Sequence, residues 1–210
     1  MFKLDNNIIY LAGAIAGDGH LKGGVKRKGK DNSKDYGIFI HSNNKEYLEN
    51  ILKLIKEKID TKTKISKGKR AHYISIRNKS LHTFFNKKLE IPLGKKSDKI
   101  TIPSKLTNSQ INYFLAGYFD TDGGIRGHSI GYCSASKQII TEINQYLNSI
   151  GIENTIDSWV NKKYQKEYYG IRVKKSSVNT FLKTIPLKNI RKLEKIRRDA
   201  GVVKRVRLRK

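Results

Sequence analysis

The 210-residue chain reads as an α+β protein built from antiparallel sheets. Three observations predict this class. Four blocks of sequence recur in the same order in the two halves. Short alternating runs, such as "YGIFIHS" and "HYISIR", have the two-residue period of half-buried strands and stand in pairs, as hairpin strands do. Between the pairs lie segments whose apolar residues are spaced three and four apart, as on amphipathic helices.

The repeat justifies the elements in order. "IIYLAGAIAGDGHLKG" from Ile8 matches "INYFLAGYFDTDGGIRG" from Ile111, aligning Gly13 with Gly117, Asp18 with Asp122 and Gly19 with Gly123. Each copy therefore opens with a short helix, over about 6–17 and 109–121. Thr107 and Gln110 form a capping-box pattern ahead of the second. "IHSNNKEYLENILKLI" from Ile40 then matches "YCSASKQIITEINQYL" from Tyr132, aligning Ser42 with Ser134. That block contains the end of a hairpin (about 24–42 and 125–135) and a helix starting near Asn44 or Lys137. "ISIRNKSLHTFF" matches "IRVKKSSVNTFL", placing a second hairpin over about 62–77 and 154–174 and a closing helix over about 78–89 and 175–184. "IPLGKK" and "IPLKNI" are the fourth pair. The expected architecture is two tandem, pseudo-twofold αββαββα units. Residues 1–94 form the first, 95–108 a linker marked by Pro103 and polar residues, and 109–210 the second. A basic helix at about 188–200 and a basic tail complete that second unit.

Lys and Arg number 44 against 18 Asp and Glu, a formal net charge of +26. The excess runs through the whole chain and implies a polyanionic partner, most simply nucleic acid. Cys133 is the only cysteine, which excludes an intramolecular disulfide and any multi-cysteine metal site. With no secretory h-region and no apolar run of membrane-spanning length, the expectation is a soluble intracellular protein, in a prokaryotic cytoplasm or an organelle matrix, with no membrane partner.

The two opening helices carry small residues on one face: Ala12, Gly13, Ala16 and Gly17 in the first, Ala116, Gly117 and Thr121 in the second. Such faces let backbones approach closely. Packed against each other, the helices would bring Asp18 and Asp122 together at their C-terminal ends. Carboxylates there meet the negative end of the helix dipole and repel each other. A divalent cation with hard oxygen ligands, Mg²⁺ or Mn²⁺, would offset both effects. A single Asp-Gly pair is a common turn signal; two at matched helix ends in a basic repeat point to a metal site. Gly17 and Thr121, which precede the acids, are further candidate metal ligands, and the glycines after the acids are expected to adopt a left-handed turn that brings backbone carbonyls near. Asp120 aligns with Ala16 and is expected to face solvent or to support the site from behind.

"LAGAIAGDG" and "LAGYFDTDG" resemble the paired signature motifs of the LAGLIDADG homing endonucleases, in their single-chain, two-motif form. The first departs from the signature at Ala14, Ala16 and Gly17, the second at Tyr118, Phe119 and Thr121; both keep the final acid and glycine. The resemblance covers nearly the whole chain. It implies a saddle of two four-stranded sheets around the paired helices, with the outer sheet faces along the DNA major groove. Ile38, Ile40, Ile74 and Ile76 would face the helices. Phe39, Tyr73, Ser75 and Arg77 in the first half, and Arg126, Ser129, Gly131, Arg172 and Lys174 in the second, would face DNA. Lys26, Arg27, Lys28 and Lys30 would contact phosphate.

The resemblance further implies hydrolysis of one phosphodiester in each strand at metals bridged by Asp18 and Asp122. Ser42 and Ser134 stand where the family often has Gln or Asn, and could orient water. Lys96, with Lys95 as its rival, and Lys188 are the expected charge-stabilising lysines. His20, His72, His82 and His128 are expected to contact DNA or to be incidental, because their spacing lacks the tight local pattern of a histidine-metal nuclease. The expected product is a double-strand break at a long, non-palindromic site, made by a monomer whose halves have diverged. Two alternatives stay open: an intron RNA maturase, which the basic end of the chain would suit, or a DNA-binding regulator without cleavage. The chain lacks the nucleophile-first start and His-Asn end expected of a complete self-splicing intein.

Overall fold

The computed structural model describes residues 2–23, 35–126, 129–163 and 165–199. The first half runs α1 (Asn6–Ala16), β1 (Gly19–Leu21), β2 (Gly37–Ser42), α2 (Lys45–Lys56), β3 (Ser66–Lys67), β4 (His72–Arg77) and α3 (Lys79–Lys87). The second runs α4 (Asn108–Asp122), β5 (Gly124–Arg126), β6 (Ser129–Ser134), α5 (Lys137–Ser149), β7 (Asn154–Asn161), β8 (Lys166–Val173) and α6 (Val178–Thr184), the last entered through a 3-10 turn at Lys175–Ser177. A further helix, α7 (Ile190–Asp199), follows. The sheets are antiparallel and share one topology, β1-β2-β4-β3 and β5-β6-β8-β7.

Local chemistry sets the helix starts. Asp5, Asn44, Asn78 and Ser136 each accept a backbone N–H from the residue three positions on. Thr107 and Gln110 form the reciprocal capping box that opens α4. The registers Ile38↔Ile76 and Ile40↔Ile74 put four isoleucines on one face, all buried beneath the helices. Tyr73, Ser75 and Phe39 project from the other. Among the described residues, no helix is long and apolar enough to cross a membrane.

Helices α1 and α4 form the centre of the molecule, and their contact obeys the twofold relation of the repeat. A Cβ added to Gly13 would collide with the Phe114 carbonyl oxygen and lie 2.9 Å from the Tyr118 nitrogen. One added to Gly117 would collide with the Tyr10 carbonyl oxygen and lie 2.8 Å from the Ala14 nitrogen. Because each glycine meets the other helix's backbone, the small-residue stripe fixes both the spacing and the register of the two C-terminal ends.

Two details differ from the sequence expectation. The first hairpin begins at Gly19, directly after Asp18, rather than near residue 24. The glycines after the acids are not left-handed: Gly123 has φ −68° and ψ 158°, and Gly19 lies in β1. Close packing explains both glycines. A Cβ at Gly19 would sit 2.7 Å from both the Ile15 α-carbon and the Phe39 carbonyl oxygen, and one at Gly123 would sit 2.6 Å from the Phe119 carbonyl oxygen.

Candidate active site

Helix α1 ends at Ala16, so Asp18 stands two residues beyond it, whereas Asp122 is the last residue of α4. The seam aligns these ends, and the two carboxyl groups come within hydrogen-bonding reach of each other. Part of Asp122 opens to solvent, but its carboxylate is packed among protein atoms at the seam. Loss of hydration, then the negative charge of Asp18, push its pKa up to about 7, against the pull of Lys96 and Lys192.

Cavities flank the pair on two sides. One, of about 500 Å³, is lined by Asp18, Asp122, Lys95, Lys96 and Ser134. The other, of about 350 Å³, is lined by Asp18, Thr121, Ser42, Arg191, Lys192 and Lys195. Each cavity thus combines the serine of one half with a lysine that follows the other half's core. Both serines make the same local turn: Ser42 Oγ accepts from Asn44 N, and Ser134 Oγ from Ser136 N, each at 3.1 Å.

The lysines mirror each other. Lys96 Nζ donates to the carbonyl oxygens of Ala16 and Gly17 at the end of α1. Lys192 Nζ donates to those of Phe119 (2.9 Å), Thr121 (2.8 Å) and Gly123 (2.5 Å) around the end of α4. Each ammonium offsets the dipole of one helix terminus beside a carboxylate. Burial lowers the pKa of both amines, that of Lys96 to about 8, against the opposing pull of the acids.

Lys188, expected in this role, lies elsewhere. Its amine donates to Asn7 Oδ1 at 3.0 Å and stands 5.3 Å from the centre of the Tyr10 ring. The repeat held a signal for Lys192: the later blocks are displaced by 94 to 97 residues (Ile91 to Ile185, Ile74 to Ile171), and Lys192 lies 96 past Lys96. Asp120 does not face solvent, the first of its two expected placements. It is buried, and Oδ2 accepts from Tyr10 Oη (2.5 Å), Lys188 N (2.6 Å) and Asn189 N (2.9 Å). Burial raises its pKa, and these three bonds oppose the rise.

A divalent cation fits this seam. Asp18 and Asp122 converge as hard oxygen donors, and a cation between them would relieve the repulsion of the two carboxylates. The described residues contain no group of three or more His, Cys, Asp or Glu that could hold a metal. The pair therefore suits Mg²⁺, which takes one or two carboxylates and completes its shell with water and substrate phosphate. The carbonyls of Gly17 and Thr121 are engaged by the lysine amines.

Comparison with known proteins bears on this geometry. Residues 109–186 match the family model of a LAGLIDADG-like domain. Most of the chain superposes on solved structures of the homing endonuclease I-DmoI. For a variant of I-DmoI in complex with its target DNA in the presence of Mg, the TM-score is 0.70 at 22% identity, over 87% of this chain and 96% of that one. For the complex with DNA and Mn, the TM-score is 0.68 at 20% identity, over 87% and 97%. Residues 109–186 thus form a LAGLIDADG-like domain, and the chain shares the fold of I-DmoI. Its sequence also resembles parts of two Methanocaldococcus jannaschii proteins. One is the replication factor C small subunit, 41% identical over 105 residues, 49% of this chain and 6% of that protein. The other is reverse gyrase, 28% identical over 96% of this chain and 11% of that protein. The chain thus spans only a small fraction of these relatives.

The outer face of the first sheet carries a row of rings. His20 stacks on Phe39 with centres 4.7 Å apart, and His41 lies 5.7 Å from Tyr73. Three cations expected to read DNA are paired within the protein: Arg77 with Asp35, Arg172 with Asp157 and Lys174 with Glu153. Ser75, Ser129 and Gly131 lie on the outer faces between them. His82 is buried, with Nε2 2.8 Å from the Lys22 carbonyl oxygen, and His72 is on β4. Lys26, Arg27, Lys28, Lys30, His128 and the side chain of Arg126 lie outside the described residues.

Proposed function

We propose that the protein is a site-specific DNA endonuclease of the homing type, cutting both strands of a long, non-palindromic duplex with Mg²⁺ or Mn²⁺. The observation that carries this reading is the convergence of Asp18 and Asp122 between two cavities, each furnished with a lysine and a serine. One scissile phosphate would occupy each cavity. The likeness to I-DmoI in complex with its target DNA supports duplex DNA as the partner.

Asp18 and Asp122 would hold the cations, with water and phosphate completing the shell. A bound divalent ion supplies Lewis acidity at phosphate and makes water a nucleophile at neutral pH. The remaining work falls to the chain. Lys96 and Lys192 place positive charge where charge accumulates on the phosphoryl oxygens. Ser42 and Ser134, whose oxygens already take part in tight turns, can orient a water by donating or accepting. Phe39, Tyr73, Ser75 and Arg77, with Ser129, Gly131, Arg172 and Lys174, would contact base edges and phosphates, and the difference between the two sets makes the target asymmetric.

The test uses the full chain, Mg²⁺ and a supercoiled plasmid library with randomised inserts. Linearised plasmids sharing one long asymmetric site are expected. Enrichment of bound plasmids without linear product would replace the nuclease with a DNA-binding regulator. No enrichment of either kind would overturn both readings.

A further inference from the structure

The two cavities are built differently, and Asp120 is the cause. Its carboxylate oxygen Oδ2 accepts the backbone N–H groups of Lys188 and Asn189, and its own carbonyl accepts from Asn189 Nδ2 at 3.1 Å. Asn189 in turn starts α7: Leu193 N bonds to its carbonyl (3.0 Å) and Lys192 N to its Oδ1 (3.3 Å). One turn into α7, Lys192 swings its amine back onto the carbonyls of Phe119, Thr121 and Gly123. The acid thus grips the start of α7 while the peptide groups around it receive the amine. In the first half Ala16 occupies the equivalent position, and Lys96 lies in the connector, where Lys99 N bonds to its carbonyl at 2.9 Å.

Stability alone does not account for Asp120. Its Oδ1 is buried without a hydrogen-bond partner among the described residues, an arrangement that destabilises the fold. A carboxylate kept at that cost, gripping one loop with its other oxygen, fits a demand for fixed position.

We infer that Asp120 is a positioning residue for Lys192, so that the cavity holding Lys192 depends on this buried acid and the cavity holding Lys96 does not. The inference deepens the nuclease reading and rests on it for its catalytic consequence, while its structural core is testable without DNA or metal.

The first arm is therefore reductive methylation of the free protein, with labelling rates of each lysine followed by peptide mass spectrometry. In Asp120→Ala, the variant that copies Ala16, labelling of Lys192 is expected to quicken by about tenfold or more while that of Lys96 stays within about twofold. Asp120→Asn keeps the shape and one acceptor oxygen; it should shift Lys192 in the same direction by less, and it carries the test if the alanine variant does not fold. Equal changes at both lysines, or none at Lys192 in a folded variant, would overturn the inference. The second arm uses a supercoiled plasmid recovered as a substrate. The variants should accumulate nicked circles cut always in the same strand, with the spared strand slowed roughly 10–100-fold and the same one spared by Lys192→Met. Parallel slowing of both strands would overturn the inference. A wild-type protein that cuts nothing would instead defeat the nuclease reading and leave the labelling result to decide the role of Asp120.

Discussion

Gly117 meets the Tyr10 carbonyl so closely that no side chain fits between them, and Gly13 meets the Phe114 carbonyl in the same way. This reciprocal contact is the hinge of the molecule, because it sets how far apart Asp18 and Asp122 lie.

Gly13→Ala and Gly117→Ala should therefore each destabilise the fold. The obstructing atoms are backbone, which cannot rotate away as a side chain can. Overpacking of this kind costs typically 1–3 kcal/mol, and backbone clashes fall at or above the upper end of that range, about 3 kcal/mol. Urea denaturation would measure it. A variant as stable as wild type would mean that the helices are not packed this closely.

The repeat, the element order and the meeting of the two acids were legible in the sequence because each depends on local pattern. Apolar spacing gave the helices, alternation gave the strands, and the small residues shared by the Gly13 and Gly117 segments gave the packing. Lys192 was harder to find. The displacement between copies changes along the chain as loops lengthen, and Lys188 follows the matched "IPL" more directly than Lys192 does. Asp120 was legible only as a choice between facing solvent and supporting the site from behind, for a different reason. Two of its three partners are backbone N–H groups almost seventy residues away, and backbone amides leave no mark in a sequence. The turns after the acids were misread because glycine signals both a left-handed backbone and a lack of room, and only the neighbouring Phe119 and Ile15 decide which.

Substitution of either acid should separate binding from cutting. Asp18→Asn and Asp122→Asn remove a charge that metal binding needs, while leaving the outer sheet faces untouched. Double-strand cleavage is expected to vanish while affinity for the recovered site stays within a few-fold of wild type. A gel-shift titration beside a cleavage assay checks both. Normal cutting by either variant would remove that acid from the site.

Without metal, Asp122 should make stability depend on pH. A carboxyl group has a pKa of roughly 3.9 when unfolded, and here it is pushed up to about 7. The folded state then holds the proton more tightly than the unfolded one. Its contribution is fully present below about pH 4 and is lost as pH rises through about 7. Asp122→Asn does not titrate there, so its stability relative to wild type should grow between pH 5 and pH 8 in EDTA. Urea midpoints at both values give the comparison. A constant difference would show that Asp122 ionises normally.

Binding should weaken steeply with salt, given the net charge of +26. If roughly 6–10 phosphates are neutralised, log K against log salt should slope between about −5 and −9. The slope should stay well below the number of basic residues, because Arg77, Arg172 and Lys174 begin paired with carboxylates and must exchange one anionic partner for another. Fluorescence anisotropy over a salt series measures it, and a flat response would remove phosphate contact as the source of affinity.

Lys188 and Lys192 should part company under the same substitution. Lys188 reaches Asn7 and the Tyr10 ring, and so ties the start of α7 to α1. Lys188→Met should lower stability by about 1 kcal/mol, the scale of one exposed cation–π contact with a hydrogen bond, and leave the cleavage rate within about twofold. Lys192 stands over the end of α4 in the cavity that Asp18 shares. Lys192→Met removes positive charge from beside the phosphate position and should slow cutting by about 10²-fold or more, with binding little changed. Single-turnover cleavage and thermal melting of the two variants decide the matter. Equal rates for both would place the charge-stabilising role elsewhere, and a slow Lys188→Met beside a normal Lys192→Met would return it to the lysine that the sequence suggested first.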